Sequence, residues 1–275
     1  MNPQQWKIFQ NFKSDFKNQC QSWACYSKEL IPLQKSSSVK DTPDYPIETP
    51  VVYNTALDEL TRQSEIKLIV IGDNPGKNEQ LSINQKYLVG QAGKIAEGYF
   101  KKNPELEIDF RKNVIILNKT PVHSAKTKHL ISIDKELKAG NSPAQNLIEE
   151  SQRWMAKKTA ALHQDLIAAS DENSFIPELW LVGYTELKKN GIFIPYRDEL
   201  KTAYTKTQAI TTDSLSLTDE PAKTSTAWQK VFVYQHFSMN CFSKDVKNHQ
   251  AANPAQTLKQ TLESLGQIHK EEIFY

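Results

Sequence analysis

The sequence predicts an α/β fold, a three-layer α/β/α sandwich around a central four-stranded parallel sheet. Four short apolar runs rich in Val and Ile are flanked by polar or turn-forming residues, as expected of strands that are buried on both faces. Candidate helices alternate with these runs. The strands are predicted at 67–72, 113–118, 178–183 and 230–235, and the helices at 91–102, 142–170, 195–204 and 254–265.

The remaining segments are expected to complete one domain over residues 1–275. Residues 1–31 carry aromatic residues at spacings of three, four and seven, which predicts an N-terminal helix. Residues 31–50 contain four prolines and three consecutive serines, which predicts an extended surface connection. Residues 207–228, rich in Thr, Ser, Asp and Lys, are predicted to be a long flexible insertion.

Composition narrows the class of protein. The chain has no run of about 18 apolar residues and no apolar signal-peptide core at its start, so we expect a cytoplasmic protein that does not enter a membrane. A formal net charge of +2 neither indicates nor excludes nucleic acid. The three cysteines, Cys20, Cys25 and Cys241, are too few for a disulfide framework and are expected to be free thiols. No metal site is evident.

Polar clusters follow three of the predicted strands. The first strand continues as Gly-Asp-Asn-Pro-Gly over 72–76, the second as Asn-Lys-Thr-Pro over 118–121 and the fourth as His-Phe-Ser-Met-Asn over 236–240. Ligands of open parallel sheets bind outside the carboxyl ends of the strands. We therefore expect the three clusters to form one site.

These clusters belong to motifs that resemble the uracil-DNA glycosylase superfamily. The block IVIGDNPGKNE, followed closely by YLVGQAGKIAEGYF, is similar to the first motif of that superfamily, in which a strand ends in a Gly-x-x-Pro-Gly turn. NVIILNKTP is similar to its second strand, and YQHFSMN to its late His-Pro-Ser motif. The resemblance extends from about residue 67 to residue 240, and it implies an enzyme that hydrolyses the glycosidic bond of a flipped uracil or related base in DNA.

The resemblance implies catalytic and base-recognition roles for four residues. Asn74 matches the Asn of the mismatch-specific and single-strand-selective branches, whose amide would orient the attacking water. Asp73 lies where the iron–sulfur branch has an acidic residue, so it is a second candidate for activating that water. Asn118 matches the Asn that recognises the uracil edge. His236 matches the His that donates to the pyrimidine oxygen as negative charge develops.

Other residues of the base pocket are assigned from the same motifs. Gly72 and Pro75 belong to the turn that would contact the base. The family usually has a Phe that stacks on the flipped base, whereas this chain has Leu88 preceded by Tyr87. Whether Tyr87 supplies the aromatic face is left open, and both residues are candidates.

The contacts with the DNA strand are assigned less directly. Ser238 and Ser124 are candidates for binding phosphates. Met239, or Phe242 farther along, is a candidate for an apolar side chain that inserts into the duplex. Lys119 begins a basic stretch, which runs through Lys126 and Lys128 to His129 and is a candidate for a rim that binds phosphate.

The resemblance also bears on cofactor, partner and location. The iron–sulfur branch needs four cysteine ligands and this chain has three, so we expect no cluster and no other cofactor. The implied partner is uracil-containing or otherwise damaged DNA. The implied protein is a monomer in the cytoplasm, associated in bacteria with the nucleoid through its function.

The same residues are compatible with three alternative functions. The Gly72-Asp73-Asn74 turn resembles the Gly-Asp-Ser turn of lipase-like hydrolases, but it lacks a nucleophilic hydroxyl. The same turn could cradle a nucleotide phosphate, although it contains neither a dinucleotide-binding nor a P-loop pattern. A protein with the glycosylase fold that binds DNA or an altered base without cutting is the more serious alternative.

Overall fold

The computed structural model describes residues 1–213 and 227–275 and contains a central sheet of four parallel strands. The strands are β1 (Leu68–Gly72), β2 (Val114–Asn118), β3 (Glu178–Val182) and β4 (Val231–Tyr234), in the order β2-β1-β3-β4. Helices flank the sheet, which confirms the predicted three-layer α/β/α sandwich. Each of the four predicted strands is present within one or two residues of its expected bounds.

Helices begin and end where the sequence predicts them in some cases and not in others. The helices are α1 (Pro3–Trp23), α2 (Ser27–Ser38), α3 (Gln91–Lys102), α4 (His129–Ala139), α5 (Leu147–Ala168), α6 (Ile194–Asp213), α7 (Cys241–Ala252) and α8 (Leu258–Phe274). The α3 helix matches its predicted bounds, α5 begins five residues later than predicted, and α6 and α8 end nine residues farther along the chain than predicted. The sequence patterns do not predict α4 and α7.

The prediction of an extended connection over 31–50 is wrong for its first part. The α2 helix continues through Pro32, although proline removes a backbone donor from a helix. Tertiary contacts outweigh that cost, since the Gln34 side-chain amide donates to the carbonyls of Pro50 and His123 at 3.0 and 2.9 Å. The extended connection is confined to the residues after α2.

The predicted insertion at 207–228 lies largely outside the described residues. The α6 helix extends into it as far as Asp213, and the description resumes at residue 227. None of the helices in the described ranges combines the length and the apolar composition that crossing a membrane requires.

The strand register brings the polar clusters to one edge of the sheet. Gly72, the last residue of β1, pairs with Asn118, the last residue of β2, while Val182 of β3 pairs with Tyr234 of β4. The side chains of β1 and β2 are buried along their whole length, so both strands are fixed by packing on both faces. Residues that follow these strands are therefore presented from a rigid base.

Candidate active site

A cavity of about 710 Å³ opens at the carboxyl edge of the sheet. Its walls come from the turns after β1, β3 and β4, the end of β2 and the first residues of α3 and α7. Asp73, Asn74, Asn118 and His236 all line it. The expected convergence of the strand ends is therefore observed, and four residues chosen from the sequence share one cavity.

The amide of Asn74 has a fixed orientation. Its nitrogen donates to the Ser124 hydroxyl at 2.9 Å and lies within 3.3 Å of two carbonyl oxygens, those of Pro75 and Ser124. Because these partners are acceptors, the nitrogen faces them, and the amide oxygen has no hydrogen bond to any described residue. That oxygen is an acceptor available to a water or ligand in the cavity.

Asn118 is buried, and its side chain has no hydrogen-bond partner among the described residues. A buried amide nitrogen without an acceptor costs about 1–3 kcal/mol, so such a group in a cavity wall indicates a ligand that would accept from it. Gly72 makes room for this side chain, because a Cβ at that position would lie 2.5 Å from the Asn118 oxygen. Gly72 does not line the cavity, so it positions Asn118 instead of contacting a base.

His236 presents one defined nitrogen to the cavity. The Ser238 backbone N–H donates to its Nδ1 at 3.1 Å, and the Ser238 hydroxyl lies 2.8 Å from the same atom. Since Nδ1 accepts, the neutral ring carries its proton on Nε2, which bonds to no described residue. Burial lowers the pKa of His236, while the neighbouring Asp73 carboxylate raises it and the Lys119 ammonium lowers it. His236 is thus an uncharged donor near neutral pH.

Lys119 does not contribute to a basic rim, contrary to the sequence prediction. Its side chain is fully buried, and its ammonium lies 2.5 Å from Asp73 Oδ1, 2.5 Å from the Val182 carbonyl and 3.4 Å from that of Gly72. The centroid of the Phe193 ring lies 4.7 Å from the ammonium nitrogen. Burial lowers the pKa of Lys119 and the Asp73 carboxylate raises it. Lys119 thus joins the carboxyl ends of β1, β2 and β3 from inside.

Each oxygen of the Asp73 carboxylate accepts one hydrogen bond from a neighbouring side chain. Lys119 donates to Oδ1, and the Thr127 hydroxyl donates to Oδ2 at 3.2 Å. Gly183 lets the pair form, because it has a φ of 92° and a Cβ there would lie 2.2 Å from Asp73 Oδ1. This arrangement makes Asp73 a counter-ion for Lys119 more readily than a base for water.

The pocket assignments at Tyr87 and Pro75 are corrected by the structure. The Tyr87 ring is fully buried outside the cavity wall, and its hydroxyl donates to the Val52 carbonyl at 2.5 Å. Pro75 likewise does not line the cavity; its carbonyl accepts from the His123 ring at 2.8 Å. Leu88 does line the cavity, with a φ of 52°, so the face available to a base there is aliphatic.

The proposed phosphate and wedge residues divide into buried and exposed groups. Ser124 is buried, and its hydroxyl accepts from Asn74 and donates to the Lys126 carbonyl, so it positions Asn74 and is not free for a phosphate. Phe242 is buried among other aromatic rings and cannot insert into DNA. Met239 is 78% exposed at the mouth of the cavity, as an inserting side chain must be.

The rest of the predicted basic rim is paired with a single carboxylate. Asp41 forms ion pairs with Lys126 and Lys128, and it lies 2.9 Å from the His129 ring nitrogen. These contacts, with that to Lys128 the strongest, lower the pKa of Asp41. The stretch after β2 therefore offers less free positive charge than its sequence suggests.

Glu79 was missed by the sequence analysis although it lines the cavity. Its carboxylate accepts from the backbone N–H of Gly76 at 3.0 Å and from backbone N–H groups of residues 88–90, of which Leu88 and Gly90 also line the cavity. Burial raises the pKa of Glu79 to about 7, against the lowering effect of these donors. The one available signal was its place in the loop after the Gly-rich turn.

No group of three His, Cys, Asp or Glu side chains within 1–213 and 227–275 is placed to hold a metal ion. The three cysteines are free: Cys20 is buried, Cys25 is exposed, and Cys241 lines the cavity.

No protein-family model, curated protein or solved structure matches this chain. Functional inference therefore rests on the geometry of the cavity and on the motifs that form it.

Proposed function

We propose that this protein is a DNA glycosylase that hydrolyses the N-glycosidic bond of a flipped uracil or related deaminated base. The observation that supports the proposal is the set of free polar atoms in one cavity. These are the Asn74 amide oxygen, the unpaired Asn118 amide and the Nε2–H of His236. The proposal makes DNA the partner of a monomer that acts in the cytoplasm.

Asn118 fits the recognition of a uracil edge. In the proposed complex its amide oxygen accepts from N3–H of uracil and its nitrogen donates to O4, so one side chain pairs with both groups. Binding then supplies the acceptor that the buried Asn118 nitrogen lacks in the free protein. Cytosine presents the opposite pattern at these two atoms and would pair with the Asn118 amide only if the amide turned by about 180°.

His236 fits the stabilisation of the leaving group. As the glycosidic bond breaks, its electron pair goes to the base, and negative charge develops on the pyrimidine oxygens. A neutral donor fixed by Ser238 is aimed at that charge without carrying charge of its own, and such a donor gains most in the transition state.

Asn74 fits the positioning of water. Its oxygen accepts one hydrogen of a water molecule and directs the water's lone pair toward the anomeric carbon. An amide is too weak a base to remove the proton, so the water adds to an oxocarbenium-like carbon and the proton passes to the departed base anion. This assigns the water to Asn74 and leaves Asp73 to hold Lys119.

A second candidate function is binding of an altered base without cleavage. It is favoured by the lining of the cavity, which in the described residues contains no Phe, Tyr or Trp ring to stack on a flipped base. Aromatic stacking is a common part of holding an extruded base. Leu88 supplies only an aliphatic surface at that position.

The experiment is single-turnover cleavage of end-labelled oligonucleotides that contain uracil, hypoxanthine or only normal bases, followed by alkali to break abasic sites. We expect cleavage at uracil, and a loss of roughly 10²-fold in Asn74→Ala with DNA binding little changed, because positioning acts mainly in the transition state. Asn173→Ala, an exposed change before β3 at the opposite edge of the sheet, is the matched control.

The outcomes separate the hypotheses. Binding without abasic sites on any substrate would refute the glycosylase and support the binder. If cleavage survives in Asn74→Ala but is lost in a folded Asp73→Asn variant, the attacking water is activated by Asp73 and not positioned by Asn74.

A further inference from the structure

A second cavity of about 600 Å³ lies between α3 and α7. It continues from the candidate active site, because both cavities are lined by successive residues of these two helices and by the turn that joins β4 to α7. We refer to the second cavity as the α3–α7 groove. A DNA strand that leaves the candidate active site in this direction would enter the groove directly.

Four lysines line the α3–α7 groove: Lys94, Lys102, Lys244 and Lys247. All four are exposed, and none forms an ion pair within the described part of the chain. No Asp or Glu of that part lines the groove. The groove therefore concentrates positive charge in a chain whose overall formal charge is only +2.

The acidic residues of the same two helices are directed elsewhere. Glu97 of α3 pairs with Lys101 and Arg111, and Asp245 of α7 lies 3.6 Å from the His269 ring. Glu97 is thus neutralised by two other basic residues, Asp245 is directed at α8, and neither carboxylate lines the groove, so the groove lysines have no acidic partner there. In the stretch after β2, by contrast, Asp41 forms ion pairs with Lys126 and Lys128.

We propose that the α3–α7 groove binds the phosphate backbone of the DNA strand that continues from the extruded nucleotide. The proposal rests on the proposed function for the identity of the nucleic acid. Lys94 and Lys102 are two helical turns apart, about 12 Å, which corresponds to three or four nucleotides at about 3.4 Å each. The buried Tyr99 hydroxyl, which lacks a partner among the described residues, is a further donor in the same wall.

The test compares the salt dependence of DNA binding in two quadruple variants. One changes Lys94, Lys102, Lys244 and Lys247 to Gln; the control changes four other exposed lysines without described ion pairs, on α1, α2 and α4: Lys7, Lys28, Lys35 and Lys135. Each phosphate contact contributes about 0.7–0.9 to the slope of log K against log salt. We therefore expect the groove variant to lose about 3 from the slope, and the control to keep the wild-type slope.

Binding is measured by fluorescence anisotropy with an oligonucleotide that lacks uracil, so the result does not depend on cleavage. Between 50 and 200 mM salt, wild-type affinity should fall about 60-fold more than that of the groove variant. An unchanged slope in the groove variant, or an equal loss of slope in the control, would refute DNA binding in the α3–α7 groove. Competition by polyglutamate as strong as that by DNA of equal charge would also refute it and would indicate an acidic peptide as the ligand. If no substrate is cleaved but the slopes differ as expected, the glycosylase proposal fails and the groove stands.

Discussion

Asp73→Asn is expected to destabilise the fold strongly, since it removes the only carboxylate that contacts the fully buried Lys119 ammonium within the described residues. Breaking one side of a buried ion pair typically costs 3–5 kcal/mol. The Asn amide oxygen still accepts from the ammonium, and the Val182 carbonyl remains at 2.5 Å, so the lower end of the range applies. We expect a loss of about 3 kcal/mol in the free energy of unfolding.

The double variant Asp73→Asn/Lys119→Met separates the charge from the packing. Met keeps most of the side-chain volume and removes the uncompensated ammonium, although the strand-end carbonyls lose their donor at a cost of about 1–3 kcal/mol. The double variant should therefore be more stable than Asp73→Asn alone by about 1–2 kcal/mol. Urea unfolding followed by circular dichroism measures both values, with an unchanged dependence on urea concentration as the check for two-state behaviour.

The penalty should also depend on pH. Burial lowers the pKa of Lys119 in the folded protein below its ordinary value of 10.5, and without Asp73 the main opposing effect is gone. A lowered folded-state pKa destabilises the charged form, so the penalty is present near neutral pH and shrinks as the pH rises through that pKa. The buried ion pair would be contradicted if the free energy of unfolding of Asp73→Asn at pH 7 lay within about 0.5 kcal/mol of wild type, which is the usual effect of a surface change. It would also be contradicted if the double variant were no more stable than the single variant.

Two further predictions concern Asn118 and Glu79. Asn118→Asp should reduce uracil excision and relatively favour cytosine, because a carboxylate accepts from the cytosine amino group; equal uracil excision in variant and wild type would refute base recognition by Asn118. Glu79 has a pKa of about 7 in the fold against an ordinary 4.5, so its contribution is greatest below pH 4.5 and is lost as the pH rises through 7. Between pH 5 and pH 8 the free energy of unfolding of wild type should therefore fall by about 2.5 kcal/mol more than that of Glu79→Gln. Urea unfolding at both pH values measures this difference, and equal falls in the two proteins would contradict the prediction.

The sheet could be predicted from sequence because its strands are continuous apolar runs of nearly the observed length. Their polar ends then predicted where a site would form, and the motif resemblance singled out Asn74, Asn118 and His236 among the residues at those ends. The α2 helix could not be predicted in this way. Its proline argues against a helix locally, and the contacts of Gln34 that outweigh this effect join residues 16 and 89 positions away.

The errors at Lys119, Ser124 and Tyr87 have a common physical origin. Each of these residue types is frequent on protein surfaces or in ligand-binding sites. Its sequence neighbours do not indicate that its polar atom forms hydrogen bonds inside the protein. Lys119 finds a carboxylate and a carbonyl at the ends of two other strands, which only the strand order reveals. Glu79 was overlooked for the converse reason, since its partners are backbone N–H groups that carry no sequence signal.

The pairing of Gly72 with Asn118 restricts how this protein could change over evolutionary time. Any side chain at position 72 would occupy the space of the Asn118 amide, so substitution there is tolerated only if residue 118 becomes smaller or turns away. The two positions belong to strands that are fixed on both faces, and neither can yield by a local loop movement. Descendants that keep an amide at 118 should therefore keep glycine at 72, and glycine should be lost only in lineages where residue 118 has already changed.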